Sequence, residues 1–366
     1  MKVLLVRSYS FKSGQTGDAT QGRETANALV RAGVELVCVY ARYQPTRIID
    51  EVDALLSDEQ VNALIDSCDV VHLLPASIPL CKYWRRLKKK PVLGSTIFWG
   101  GFERVFIAWR TYSAFLPRLK AAVKELRNML PLYMDYHGVD VFLPNSAAEG
   151  RRVMRFFGKD RHSVYKAVHN GFIPPSFDVW SLPRSKRAPK EDYIVVPGVF
   201  ARRKNQLGLI RALKKYRRDY KVVFMGGGTW DKDYYSECQS AATNDMIFLG
   251  YVSSKDSEYW QILRHARVAC LSSDCETPGI AMIEAAYAGA RPVITKFGGT
   301  DEYYGGYAEY LNPCCTKSII TALDLGWQRG RLEKIDSEVF AKFTWDLVAS
   351  ETKAAYGFAI KSFGRE

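Results

Sequence analysis

The sequence lacks several features that would assign it to familiar protein classes. No apolar run reaches the roughly 20 residues that span a bilayer, and the opening segment Met1–Arg7 turns polar too soon for a signal peptide. The eight cysteines and five histidines show no paired zinc-ligand spacing, which favours free thiols in a reducing cytosol. We therefore expect an intracellular protein, with the adjacent Cys314 and Cys315 left open as a redox pair.

The composition that is present supports packed domains and a basic first half. The 366 residues are 47% hydrophobic and 13% aromatic, which is enough apolar surface for two folded domains. The net charge is +13: residues 1–200 carry 29 Lys and Arg against 19 Asp and Glu, whereas residues 201–366 carry 23 against 20. This uneven excess predicts an anionic partner for the first half, such as phospholipid or a nucleic acid.

Both halves alternate strand and helix patterns, which predicts two doubly wound α/β domains with parallel sheets. In the first half, strands are predicted at Lys2–Arg7, Glu35–Tyr40, Asp69–Leu74, Pro91–Thr96 and Val139–Leu143, and helices at Gly22–Ala32, Arg110–Tyr136 and Ser146–Phe157. In the second half, strands are predicted at Asp192–Val196, Tyr220–Met225, Met246–Leu249, Val268–Leu271, Arg291–Thr295 and Glu309–Leu311. Helices fill the gaps near 205–216, 233–243, 258–266, 279–289 and 316–327.

The pattern breaks once, and this break sets the predicted domain bounds. Asn-Gly and Pro-Pro pairs after Val168, followed by a polar, basic stretch, are typical of loop. We therefore predict a first domain over 1–170, a linker over 171–191, a second domain over 192–344 and a final helix over 345–366.

The segment from Leu271 to Ala286 has the strongest chemical pattern. It follows a predicted strand and opens a helix, with Thr277 expected as N-cap and Pro278 as the first helical residue. The free amides of Gly279, Ile280 and Ala281 would then form a site for an anion such as a diphosphate. Glu276 and Glu284 would offer carboxylates to hydroxyl groups. Spacing alone is weak support, because a capped helix with two surface glutamates has the same pattern.

This segment resembles the E-x7-E motif of retaining GT-B glycosyltransferases of family 4, the glycosyl transferases group 1. The resemblance spans most of the chain and is densest over 195–313. Its other matching segments are Arg202–Ile210, Phe248–Val252, Ala288–Thr295, Gly298–Gly305, Leu143–Glu149 and His169–Gly171.

The resemblance implies a fold and a set of residue roles. The fold would be GT-B, with two Rossmann-like domains facing across a cleft and a C-terminal helix crossing back to the first domain. Glu276 would contact the donor sugar, Glu284 the nucleotide ribose, and Lys204 the diphosphate, where a cation stabilises the charge on the leaving group. Thr277, Pro278, Gly279 and Ile280 would contact the donor phosphates, and Gly250, Tyr251 and Val252 the base. No cofactor and no divalent metal would be required beyond the nucleotide-sugar donor.

The sequence departs from the family pattern at two positions. The arginine usually found five residues before the lysine is replaced by Val199, so Arg202 or Arg203 is expected to reach the diphosphate instead. Many relatives carry a histidine near the reacting sugar, but the corresponding loop Ser95–Gly101 has none. Either the site is rebuilt around Trp99 and backbone amides, or the reaction is slower or different. The loop after the first strand contains Gly14 and Gly17, which would let its backbone approach the donor phosphates.

Two basic segments of the first half suggest a membrane surface. Lys82–Lys90 mixes aromatic and basic residues, and the stretch from Phe102 to Met134 adds apolar bulk among arginines and lysines. A solvated helix face is the competing interpretation, and a nucleic-acid acceptor would use the same charges.

The sequence thus predicts a retaining, metal-independent glycosyltransferase that moves a hexose from a UDP- or GDP-sugar to a glycan or lipid-linked acceptor. It is expected in the cytoplasm, with peripheral attachment to the inner membrane surface left open. Other hypotheses are a nucleic-acid glycosyltransferase, a non-catalytic nucleotide- or carbohydrate-binding GT-B protein, and a GT-B epimerase or phosphorylase.

Overall fold

The computed structural model describes the chain in eleven stretches and divides it into two compact units. The described residues are 1–7, 17–42, 47–75, 80–96, 115–116, 118–120, 122–124, 126–127, 138–157, 163–228 and 231–363. The N-terminal unit consists of Met1–Gly171 and Phe343–Glu366, and the C-terminal unit of Phe172–Lys342. Gly14, Trp99 and most of the predicted helix over 110–136 lie outside the described residues.

The N-terminal unit is built on a seven-stranded sheet. Its strands are β1 Lys2–Arg7, β2 Glu35–Arg42, β3 Arg47–Asp50, β4 Val70–Leu74, β5 Val92–Ser95, β6 Val141–Leu143 and β7 Ser163–Val164. Their order is β3-β2-β1-β4-β5-β6-β7, and every neighbouring pair is parallel except β2 with β3. The helices of this part of the chain are α1 Gly17–Arg31, α2 Asp58–Ser67, α3 Trp84–Leu87 and α4 Ala147–Phe157.

Local capping explains where two of these helices begin. Ser57 caps α2 in a capping box with Gln60. Ser146 caps α4, because its hydroxyl accepts a 3.1 Å hydrogen bond from the Glu149 amide. The Glu149 carboxylate in turn accepts a 2.8 Å bond from the Asn145 amide, so the turn after β6 is anchored to the helix.

The C-terminal unit is built on a six-stranded sheet that is parallel throughout. Its strands are β8 Tyr193–Pro197, β9 Lys221–Met225, β10 Met246–Gly250, β11 Val268–Leu271, β12 Arg291–Thr295 and β13 Glu309–Leu311. The helices are α5 Gln206–Lys215, α6 Lys232–Ala241, α7 Ser257–His265, α8 Ile280–Tyr287, α9 Thr300–Tyr304, α10 Thr316–Arg329 and α11 Lys334–Glu338.

The strand order of this second sheet locates its ligand-binding edge. The order is β10-β9-β8-β11-β12-β13. The chain therefore adds β9 and β10 on one side of β8, and then reverses to add β11, β12 and β13 on the other side. Strands β8 and β11 are buried along their whole length, as expected for a parallel sheet covered on both faces. In such sheets ligands bind beyond the carboxyl ends of the strands at this reversal.

The last helix, α12 Trp345–Phe363, belongs to the N-terminal unit. The hydroxyl of Tyr356 lies 2.7 Å from Nδ1 of the buried His72 on β4. Asp346 pairs with Arg31 at 2.6 Å on the surface of α1. The expected return of the C-terminal helix to the first domain is therefore confirmed.

Residues 172–191, for which the sequence predicts a linker, group with the C-terminal unit. The side chains of Val179 and Ser185 are buried there. Across the described stretches, no helix combines the length and the apolarity that crossing a bilayer requires.

Candidate functional site

Two loops meet at the reversal point of the C-terminal sheet, one after β8 and one after β11. The amide of Asp274 donates a 2.8 Å hydrogen bond to the carbonyl of Arg203. The Asn205 side-chain amide donates to the Ser272 carbonyl at 3.1 Å, and the Ser272 hydroxyl donates to the Asn205 carbonyl at 3.0 Å. These bonds hold the basic loop 202–204 against the loop that carries Glu276.

Asn205 adopts a left-handed conformation, with φ 54° and ψ 34°, at the junction between the basic loop and α5. Its side chain fills the space above Gly208: a Cβ on Gly208 would lie 2.2 Å from the Asn205 Oδ1 atom. Glycine at position 208 is therefore required for Asn205 to reach Ser272 and the Pro313 carbonyl, which it binds at 3.1 Å.

Lys204 and Glu276 form a nearly buried ion pair at the centre of the site. The Lys204 ammonium donates a short hydrogen bond to Glu276 Oε1, and the Ser273 hydroxyl donates to the same oxygen at 2.7 Å. Burial raises the pKa of Glu276, but the charges of Lys204 and Arg203 and these two hydrogen bonds outweigh burial and hold the pKa below its usual value. Glu276 is therefore an anion that the protein holds beside a cation.

Glu284 lies about one turn along α8, in a different environment. Only 8% of it is exposed, and the Tyr259 hydroxyl on α7 donates a short hydrogen bond to its Oε2 atom. Burial raises the pKa of Glu284 to about 7, although the Tyr259 bond acts in the opposite direction. The surroundings of the two glutamates therefore shift their pKa values in opposite directions.

The start of α8 differs from the sequence prediction. Thr277 is not the N-cap, and Pro278 is not the first helical residue, because the helix begins at Ile280 with Gly279 as cap. Gly279 has φ 74°, a left-handed conformation that glycine adopts without strain. The Tyr304 hydroxyl donates to the carbonyls of Pro278 and Gly279 at 3.0 and 3.2 Å, which fixes this turn.

The start of α8 still provides free amides. Within the described chain, the amides of Gly279, Ile280 and Ala281 donate to no backbone carbonyl. Such amides at a helix start attract anions. The helix begins two residues later than predicted, whereas the anion site was predicted at these same three amides and stays a prediction.

The two arginines before Lys204 differ in whether their side chains form ion pairs with neighbouring carboxylates. Arg202 pairs with Asp231 at 3.6 Å and Glu237 at 3.2 Å, and its guanidinium lies 5.2 Å from the centre of the Tyr234 ring. Arg203 is exposed, and in the described part of the chain it forms no ion pair. Of the two, Arg203 therefore has the guanidinium that is available to a ligand.

The remaining predicted residues lie at other places in the fold. Gly250, with φ 74°, ends β10, and Tyr251 beyond it is 52% exposed while Val252 is buried. Tyr251 acts electrostatically on Tyr259, so this turn lies near the Glu284 pair. Gly17 begins α1 in the N-terminal unit.

Sequence reasoning missed four residues of this site: Ser273, Asn205, Tyr259 and Tyr304. Ser273 and Asn205 adjoin predicted site residues in the sequence, so their position in the motif was an available signal. Tyr259 and Tyr304 lie on neighbouring helices, 25 positions before Glu284 and 26 positions after Pro278. No local pattern connects them to the site.

The chain is similar in sequence to known proteins. Residues 179–313 match the family described as glycosyl transferases group 1. An uncharacterized glycosyltransferase of Methanocaldococcus jannaschii is 27% identical over 219 residues. That match covers 55% of this chain and 55% of the relative, so the chain spans about half the length of this curated relative.

Solved structures resemble the chain over nearly its whole length. Sucrose-phosphate synthase from Thermosynechococcus elongatus superposes with a TM-score of 0.70 at 15% identity, covering 99% of each chain. HepE of Anabaena, solved in complex with UDP and glucose, has a TM-score of 0.57 at 14% identity, covering 98% of this chain and 99% of its own. These likenesses show that the chain has the GT-B fold, with two Rossmann-like α/β domains.

Proposed function

We propose that this protein is a glycosyltransferase that moves a sugar from a nucleotide-sugar donor to an acceptor. The observation that carries the proposal is the ion pair of Lys204 with Glu276 at the reversal point of the C-terminal sheet, beside the free amides of α8. The family match over 179–313 includes both residues. In this proposal the C-terminal unit binds the donor.

The proposed chemistry requires positive charge where the leaving group develops negative charge. Transfer breaks the bond between the anomeric carbon and a phosphate oxygen, which keeps the electron pair. The acceptor oxygen forms the new bond to the anomeric carbon, and its proton passes to the departing diphosphate. Lys204, the exposed Arg203 and the α8 amides would stabilise the departing diphosphate. Because these groups supply the charge, we propose that no divalent metal is required.

Glu276 and Glu284 would recognise the two ends of the donor. In the structure, Lys204 pairs with the Glu276 carboxylate. When the diphosphate attracts Lys204, the Glu276 carboxylate becomes free to accept hydrogen bonds from sugar hydroxyls. Glu284 would bind the ribose diol. We propose retention at the anomeric carbon from the E-x7-E resemblance, and a UDP- or GDP-hexose donor, which the UDP and glucose bound to the Anabaena neighbour supports in part.

A thermal-shift screen with UDP-glucose, GDP-mannose, UDP, GDP and ADP tests the donor site. One nucleotide sugar is expected to raise Tm with and without EDTA, and slow release of free nucleotide should accompany binding. Lys204→Met and Glu276→Gln should each abolish that release. The double variant removes both charges of the buried pair and serves as the folding control.

The outcomes of this screen separate the competing functions. Unchanged release in Lys204→Met would eliminate the proposed site. Binding without any release or transfer would favour a non-catalytic GT-B protein, and a sugar phosphate product would indicate a phosphorylase. No shift with any nucleotide would remove the donor-site proposal itself.

We also propose that the N-terminal unit binds an anionic membrane surface, which suits a lipid-linked or surface glycan acceptor. Described residues between 115 and 127 are helical, and Leu116, Leu119, Val123 and Leu126 are 66%, 42%, 44% and 46% exposed. Their spacing places them on one side of the helix. This segment carries four basic residues and one acid, Glu125. An apolar stripe flanked by cations is typical of helices that lie in a membrane interface.

Sedimentation with vesicles tests this surface. The protein should bind vesicles of equal parts phosphatidylglycerol and phosphatidylcholine and should not bind pure phosphatidylcholine. The variant K120E/K124E/R127E should lose binding by roughly a hundredfold, at about 1 kcal/mol for each basic residue.

The variant R85E/K88E/K89E in the segment Lys82–Lys90 is the matched control, because it also reverses three basic charges of the N-terminal unit. Two other cations of that segment, Lys82 and Arg86, already pair with Asp58 and Asp66. Equal sedimentation of both variants would contradict the assignment to residues 115–127. Salt-sensitive RNA or DNA binding without vesicle binding would favour the nucleic-acid acceptor.

A further inference from the structure

The two carboxylate oxygens of Glu284 differ in their hydrogen bonds, because Tyr259 contacts only one of them. Tyr259 is 6% exposed and Glu284 is 8% exposed, and the tyrosine hydroxyl donates to Oε2. From the described part of the chain, no hydrogen bond reaches Oε1. One oxygen is therefore held by the protein, and the other is available to a ligand.

Several elements around α8 carry titratable or charged side chains that could act on this carboxylate. Helix α8 packs against α7, α11, β11, β12 and the short turn 339–342. These elements carry Glu258, Tyr259, Arg264, His265, Cys270, Arg291, Lys334, Asp336, Glu338 and Lys342. Among the described residues Tyr259 is the one that bonds to Glu284. Burial and the charges of Glu276 and Glu284 raise the pKa of Tyr304 on α9. Burial and the charge of Glu284 raise the pKa of Tyr259, and Tyr251 adds a smaller electrostatic effect.

We infer that Tyr259 is a positioning residue for nucleoside recognition, because its hydroxyl orients the Glu284 carboxylate and favours the charged form that accepts hydrogen bonds from a ribose diol. The inference rests on the proposed function, since it assigns Glu284 to the nucleotide. It adds a residue from a separate helix to the site.

The physical basis is competition between burial and the hydrogen bond. Burial raises the pKa of Glu284 to about 7, and the Tyr259 hydroxyl keeps it from rising further. A protonated carboxyl loses one acceptor oxygen, so nucleotide affinity should rise with pH across neutrality. Removing the hydroxyl should raise the pKa again, and the rise in affinity should then occur at a more alkaline pH.

Donor affinity measured from pH 6 to 8.5 tests the inference. UDP-glucose and GDP-mannose are suitable probes, because their diphosphate diesters keep a constant charge over this range. Wild-type affinity for the donor that binds should rise about tenfold from pH 6 to 8.5. Tyr259→Phe should bind several-fold more weakly at pH 7, with the deficit narrowing at pH 8.5.

Tyr287→Phe is the matched control, because Tyr287 lies on α8 and its hydroxyl makes no hydrogen bond with described residues. It should follow the wild-type pH profile. If Tyr259→Phe lost the same fraction of its affinity at every pH, Tyr259 would have only a packing role and the inference would be overturned. A Tyr259→Phe pH profile identical to that of the wild type would also overturn it.

Glu284→Gln separates failure of this inference from failure of the proposed function. The amide does not titrate, so its affinity should be low and independent of pH, and adding Tyr259→Phe should not introduce a pH dependence. Full affinity in Glu284→Gln at every pH would contradict the donor site itself. Weak binding in Glu284→Gln together with an unshifted Tyr259→Phe profile would contradict only the role of Tyr259. Tm without ligand shows whether each variant is folded.

Discussion

Lys204 and Glu276 are 72 positions apart in the chain and share one hydrogen bond, so the chemistry of each depends on the other. Burial raises the pKa of Glu276, but the charges of Lys204 and Arg203 and the hydrogen bonds from Lys204 and Ser273 keep this carboxylate ionised. At position 284, burial raises the pKa of the same residue type to about 7, and the tyrosine hydroxyl that bonds to it only limits the rise. At the scale of single residues, function therefore follows from the partner that each side chain finds.

Gly208 and Asn205 allow a direct test at this scale. Gly208→Ala would place a Cβ 2.2 Å from Asn205 Oδ1 and force that side chain off the carbonyls of Ser272 and Pro313. The expected loss is about 1–3 kcal/mol of unfolding free energy, with weaker nucleotide binding because the Lys204 loop shifts. Urea denaturation measures the first effect, and a thermal shift measures the second.

A double-mutant cycle identifies the cause. Asn205→Ala should lose a similar amount, and adding Gly208→Ala to it should cost little or increase stability, because alanine favours the helix and the clash is gone. Gly306→Ala is the control, since a Cβ there meets no atom within 4 Å. Additive losses in the double variant would show that Gly208 acts independently of Asn205.

At the scale of elements, the strands of the C-terminal sheet were predicted to within one residue. They are short, apolar runs separated by turn residues, and a parallel sheet buries such runs on both faces. The antiparallel edge strand Arg47–Asp50 was not predicted, because four residues paired by tertiary contact leave little pattern. Helix Asp58–Ser67 was also not named, although the Ser57 and Gln60 capping box was an available local signal.

At the scale of the whole molecule, the two units differ in how the chain builds them. The C-terminal unit is one continuous segment, Phe172–Lys342, whereas the N-terminal unit needs Phe343–Glu366 to complete it. Helix α12 buries Trp345, Val348 and Tyr356 in the N-terminal unit. The hydrogen bond of Tyr356 to His72 adds a buried polar contact.

This difference predicts unequal folding of fragments. Residues 172–342 expressed alone should unfold cooperatively and keep the nucleotide-induced rise in Tm. Residues 1–171 alone should lose roughly 5 kcal/mol or more, because three large side chains of α12 no longer cover the core. Circular dichroism melts and amide exchange check both. A cooperative 1–171 fragment as stable as the N-terminal unit of the full chain would contradict the role of α12.

The sequence by itself determined the class of fold, because strand and helix periodicity and turn residues are local properties of the chain. It also led to the predictions for Lys204, Glu276 and Glu284, because the resemblance to a known family assigns roles to motif positions that follow one another along the chain. Only the tertiary structure decided which arginine is available, where α8 begins, and which tyrosines hold the motif. Those outcomes depend on side chains that approach from separate helices, and on burial, which no local pattern records.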